Sequence, residues 1–151
     1  MTLNKIAWSF TNKTYSDAEK FNNAVTEYQI DIKENSDEWK PTKIVSDFPE
    51  IEIQYMAWVK SPEDLLENEA LIEDDEDAFD DEPEEEAGYQ VEIVAKLTAD
   101  NGANFTALEF LMKTHNQLAN KELGDSTFFE GVEDNSDHED ELPLYYISCG
   151  S

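Results

Sequence analysis

The chain has 151 residues, and its 37 acidic side chains against ten lysines give a formal charge of −27, with no arginine at all. Arginine is the usual residue for two-pronged phosphate contacts, and positive surface supplies most nucleic-acid affinity. Direct binding to nucleic acid or to an anionic membrane face is therefore not expected, whereas basic partners are favoured. Hydrophobic residues make up 39% of the chain and aromatics 11%, enough for a buried core and a single domain over residues 1–151.

Taken in order, Lys5 to Thr11 alternates as a short strand, with Ile6, Trp8 and Phe10 on one face. Ser16 and Glu19 have capping-box spacing. Behind them Phe21, Val25, Tyr28 and Ile32 recur at helical spacing, predicting a helix over 17–33. Thr42 to Asp47 reads as a short strand that ends at Phe48-Pro49, because proline cannot donate to a ladder. From Glu50 to Lys60 the alternation is strict. Ile51, Ile53, Tyr55, Ala57 and Val59 point one way, and Glu52, Gln54, Met56 and Trp58 the other.

Residues 61–88 form an acidic connection. The stretch from Glu63 to Glu86 holds fifteen carboxylates and no lysine. Ser61-Pro62-Glu63-Asp64 is a helix-start signature, and Leu65, Leu66, Leu71 and Ile72 predict a short helix that docks one apolar edge. Glu73 to Glu86 then reads as a self-repelling loop. Outside the tract, 22 acidic residues still face the same ten lysines, so acidity belongs to the whole surface.

Tyr89 to Thr98 alternates as a second long strand. An Asn101-Gly102 turn follows, then a helix over 105–121 built on Phe105, Leu108, Leu111, Met112, His115 and Leu118. Thr127 to Val132 and Leu142 to Cys149 read as the last strands, joined by a second acidic loop from Glu133 to Glu141.

The flanks of the acidic connection, 3–60 and 89–149, share an order of elements: strand, helix, short strand, longer strand. A shift of 87 residues sets Ile6 on Ile93, Phe21 on Leu108, Val25 on Met112 and Tyr28 on His115. The resulting expectation is an α+β fold of two pseudo-repeated β-α-β-β halves. They would form a mainly antiparallel sheet of about six strands with both helices on one face.

No chemistry-bearing motif occurs. His115 lies on the apolar stripe of its helix and is expected to be a hydrogen-bonded core residue. His138 stands among acids that favour its cation. Neither acidic loop has the central glycine of an EF-hand, so no calcium site is expected beyond weak divalent binding. Zinc would need a second histidine or cysteine at ligand spacing. Cys149, the only cysteine, excludes an intrachain disulfide and suits a reducing cytoplasm; its expected role is small and buried. MTLNKIAWSF has no long apolar run of the signal-peptide kind, and no segment reaches the roughly 18 apolar residues a membrane span needs. No cofactor and no catalytic residue is expected.

Function is therefore sought in binding. Phe128 and Phe129, adjacent on a strand, must point to opposite faces. Trp58 sits on the off-core side of its own strand. Aromatics beside carboxylates form hot-spot surfaces. The expected partner-binding set is Glu73, Asp74, Asp75, Glu76, Asp77, Asp80, Asp81, Glu82, Glu84, Glu85 and Glu86 in the central tract. Glu133, Asp134 and Asp137 belong to the second loop, and Trp58 and Phe129 supply the aromatic contacts. In general character, a small acidic chain without catalytic motifs, the protein resembles bacterial immunity proteins that neutralise nuclease toxins, and nuclease inhibitors. The resemblance covers no defined stretch. The expected function is a non-catalytic binding protein that neutralises a basic partner by mimicking nucleic acid or plugging a basic active site. The alternative is a soluble scaffold, homodimeric or peptide-binding through its sheet, with acidity serving solubility.

Overall fold

Alternating side chains of the two long strands set the architecture. In the computed structural model, which describes residues 2–72, 78–80, 88–134 and 142–150, they pair antiparallel along their full length. These are β2 (Glu50–Val59) and β4 (Tyr89–Thr98). Ile51, Ile53, Tyr55, Ala57 and Val59 are at most 1% exposed, and the residues between them are half-buried or exposed. Helix α1 (Ala18–Lys33) and helix α2 (Ala107–Ala119) pack on each other, and both belong to one core with these inward residues. The remaining strands are β1 (Ile44–Ser46), β3 (Glu69–Leu71), β5 (Phe105–Thr106), β6 (Phe128–Asp134) and β7 (Leu144–Gly150). The main sheet has five strands in the order β3-β4-β2-β7-β6, and β1 pairs with β5 as a separate two-stranded sheet. This is an α+β fold with a mixed sheet.

Local chemistry adjusts several predicted elements. The cap of α1 is Asp17, not Ser16: its carboxylate accepts from the N–H groups of Glu19 and Lys20 at 2.9 and 3.4 Å. Gln29, not Ile32, completes the buried stripe with Phe21 and Val25. Its amide bonds both the N–H and the carbonyl of Ala7, standing in for a neighbouring strand, while Ile32 is 60% exposed. The expected first strand is only partly regular. Thr2–Lys5 is a 3-10 turn, and Ser9 bridges to Phe128 at the edge of β6.

The short helix expected in the acidic connection is replaced by a 3-10 turn, Pro62–Asp64, and by β3. Strand β3 pairs with β4, Glu69 opposite Ala95 and Leu71 opposite Ile93. Period two, not helical spacing, turns Glu69 and Leu71 inward together, and Leu66 is left 45% exposed.

The similar order of elements in the two halves does not carry over to their pairing. β1 leaves the main sheet while β6 joins it, and β2 and β7 run parallel. A two-fold rotation that kept both helices on one face would make those two strands antiparallel.

Candidate partner-binding surface

Two buried polar clusters account for the conspicuous titratable groups inside the fold. Lys121 and Glu69 form an ion pair of 2.8 Å with side chains 2% and 0% exposed. Gln117 Nε2 and the Leu66 N–H donate to the Glu69 carboxylate at 2.9 and 2.7 Å, and the Tyr55 hydroxyl donates to it as well. Burial alone would raise the Glu69 pKa, but hydrogen bonds from Lys121, Tyr55, Leu66 and Gln117 outweigh it and hold the carboxyl below its ordinary value. Burial, then the neighbouring Glu69 charge, pushes the Tyr55 phenol well above its usual range. Lys121 also donates to the Asp64 carbonyl at 2.8 Å. The cluster therefore clamps the base of the acidic connection onto α2.

The second cluster surrounds His115, which is fully buried. Trp8 Nε1–H donates to its Nδ1 at 3.1 Å, and its Nε2 lies 2.7 Å from the Lys13 carbonyl. Indole N–H can only donate and a carbonyl can only accept, so the ring is neutral and carries its proton on Nε2. Burial lowers its pKa, opposed by the Lys13 hydrogen bond. Trp8, Phe10, Tyr15 and Phe21 ring the imidazole with centroids 5.3–5.9 Å away. This is the hydrogen-bonded core histidine expected from its place on the stripe. Cys149 is half-buried, and burial followed by the Glu130 charge pushes its thiol up to about 12, which keeps it protonated near neutrality.

Opposite the helices, the main sheet presents a face that no described element covers. From β2 it shows Glu50, Glu52, Gln54, Met56 and Trp58, and from β4 Gln90, Glu92, Val94 and Lys96. Leu144, Tyr146 and Ser148 continue it on β7, and Phe128 and Glu133 on β6. Phe128 is 48% and Met56 40% exposed. Trp58 is half-buried; its backbone N–H donates to the Glu122 carbonyl at 2.8 Å, and Gly124 lies beside its indole. Lys96, the cation among these residues, stands 3.9 Å from Glu50. The face is thus apolar and aromatic in patches and acidic overall.

Described residues that flank the two acidic tracts, Gly88 and Leu142, stand toward opposite ends of β2. Gly88, which follows the central tract in sequence, precedes Tyr89, which pairs with Val59 at the end of β2. Pro143, which follows the second tract in sequence, lies near the start of β2, where Glu52 N–H donates to its carbonyl at 2.9 Å. Glu52 and Val59 are seven residues apart on β2, or about 23 Å at strand rise. Charge is also divided along the chain. Residues 1–43, which include α1, carry seven acids and six lysines, and residues 44–151 carry thirty acids and four lysines.

Comparison with protein-family models, curated protein sequences and solved structures finds no match for this chain. Its function has to be read from its own surface.

Of the residues expected to bind a partner, Glu73, Asp74, Asp75, Glu76, Asp77, Asp81, Glu82, Glu84, Glu85, Glu86 and Asp137 lie outside the described residues. Asp80, Glu133 and Asp134 are exposed. Trp58 lies on the open face as expected. Phe129 does not: it is 6% exposed, opposite Cys149, with its ring 5.9 Å from Phe10. Phe128 is the outward member of the pair, because strand register follows β7, whose inward residues are Tyr145 and Ile147. Glu92 and Tyr146 also stand on this open face and were not among the expected residues. Their signal was present in the alternation, since both occupy off-core positions of their strands.

Proposed function

We propose that this chain is a non-catalytic binding protein that neutralises a basic protein partner through the open face of its main sheet. The supporting observation is that face itself: Met56, Trp58, Tyr146 and Phe128 stand among Glu50, Glu52, Glu92 and Glu133, with Lys96 on the same face. Aromatic and thioether surface supplies contact energy. The surrounding charge supplies steering and selects a basic partner, and the acids of the two tracts add to the chain's negative field. In this reading the protein is of the immunity-protein or nuclease-inhibitor type and works in the cytoplasm, its acidic face occupying the surface by which a basic partner grips nucleic acid.

The test is capture on the immobilised chain followed by identification and salt titration. A single basic protein should be retained at low salt and released steeply as salt rises. Substituting Met56 and Phe128 with lysine should abolish its capture while the thermal melt stays cooperative. A retained partner that is not basic, or whose binding ignores salt and both substitutions, would favour the scaffold reading instead.

A further inference from the structure

The segment from Ser61 to Ile72 follows β2 in the chain, and its attachment differs in kind from that of the other elements. Its one buried residue is Glu69; the rest are exposed or half-buried. Leu65 and Leu71 lie partly buried against the core, and Leu66 is 45% exposed. Backbone pairing is equally thin. Strand β3 registers with Ile93, Val94 and Ala95, whereas β2 registers with every residue of β4. Polar contacts supply what apolar burial does not. Glu69 is held by Lys121, Tyr55 and Gln117. Lys121 also reaches the Asp64 carbonyl at 2.8 Å, and Asn68 exchanges hydrogen bonds with Gln117 at 3.0 and 3.2 Å. Tyr55 and Gln117 sit on β2 and α2, which the main core holds in place.

We propose that residues 61–72 form a strap latched by Glu69, which lifts from β4 and α2 as a unit while the main core stays folded. Segments with little buried apolar surface open at a lower free energy than the whole fold, and this one buries a carboxylate in place of a hydrophobic anchor. Opening returns Glu69 and Lys121 to water, which recovers the desolvation that the closed pair bears. It also uncovers the edge of β4 that β3 occupies. A bare sheet edge is a template for strand pairing, so the closed strap keeps that edge covered.

The test is residue-resolved amide hydrogen exchange of the full chain, followed by NMR in water and in urea below the unfolding transition. Strand β4 carries its own control, because successive amides of a strand point to opposite sides. Lys96 N–H donates to the Asn68 carbonyl of the strap at 3.0 Å, and the strap's Ile72 N–H donates to the Glu92 carbonyl at 3.2 Å. Ile93 and Ala95 face β2 instead, paired with Tyr55 and Ile53. After correction for intrinsic rates, Lys96 and Ile72 should exchange at least about a hundredfold faster than Ile93 and Ala95. Their rates should scarcely depend on urea, since local opening exposes little surface, while those of Ile93 and Ala95 rise steeply. Glu69→Gln, which keeps the shape and removes the charge, should speed Lys96 and Ile72 by about tenfold, the scale of a hydrogen bond to a charged group. Equal rates and equal urea slopes for the two pairs would overturn the strap, because the segment would then open only with the whole fold. Exchange of Lys96 and Ile72 unaltered by Glu69→Gln would overturn the latch. The wild-type comparison decides the first point whether or not that variant folds.

Discussion

Replacing Lys121 with methionine tests how the acidic connection is held to the core. The substitution keeps most of the volume but leaves the Glu69 carboxylate, fully buried, without its cation. Removing one member of a buried pair costs about 3–5 kcal/mol, a large share of the 5–15 kcal/mol typical of a domain. The double variant Lys121→Met with Glu69→Gln should cost less than Lys121→Met alone. A glutamine carbonyl still accepts from Tyr55 and Leu66, and no charge is left buried. The pH dependence has a definite sign. Glu69 has a folded pKa below its unfolded value near about 4.3, so its contribution is present above that value and is lost as pH falls through the folded pKa. The gap between wild type and Lys121→Met should narrow over the same range. Urea unfolding followed by circular dichroism between pH 7 and pH 3 measures both. A loss below about 1 kcal/mol for Lys121→Met, or a double variant no better than the sum of the singles, would refute the clamp.

Protonation of His115 would place an N–H donor against Trp8 Nε1–H. Its folded pKa is lowered by burial, so stability should be full above about pH 6.5 and fall as pH drops toward the folded pKa. A thermal melt of wild type against His115→Gln across that range checks it, and an imidazole titrating at its ordinary value by NMR would contradict it. Gly88 has φ +101, and a Cβ there would lie 2.3 Å from the Val59 carbonyl oxygen. Gly88→Ala should therefore lower stability by about 1–3 kcal/mol through strain, measurable as a shifted urea midpoint. Phe129→Ala should cost about 3–5 kcal/mol by opening the core, whereas Phe128→Ser should change stability by less than about 1 kcal/mol. Similar losses at both positions would contradict the assigned faces.

The long strands and both helices were legible because period two and period 3.6 each placed a run of apolar residues on one side. Ile51 to Val59 and Phe21 with Val25 are the clearest cases. What escaped the sequence depended on partners far along the chain. Glu69 reads as one more acid of the tract until Lys121 and Tyr55 meet it, and that meeting turns an expected helix into β3. Gln29 looks like a break in the stripe of α1 until the backbone of Ala7 is set beside it. The facing of Phe128 and Phe129 depended on register with β7, which local spacing does not contain. The parallel pairing of β2 with β7 is likewise a long-range choice, invisible to a comparison of element order. The proposed surface was half visible: Trp58 follows from alternation, but the Gln54–Glu92 hydrogen bond and the pairing of Gln54 with Tyr146 join three strands from both halves.

Two methionines report on opposite sides of the sheet. Met56 lies on the open face, and Met112 lies on α2 against the core and a cleft with Leu108. The methyl NMR spectrum of methionine-labelled protein, titrated with hexa-arginine at physiological salt, therefore locates the binding face directly. A binding role centred on the open sheet predicts a saturable shift of the Met56 methyl with Met112 unmoved. A shift of Met112 with Met56 unmoved, or saturable binding that moves neither, would contradict it.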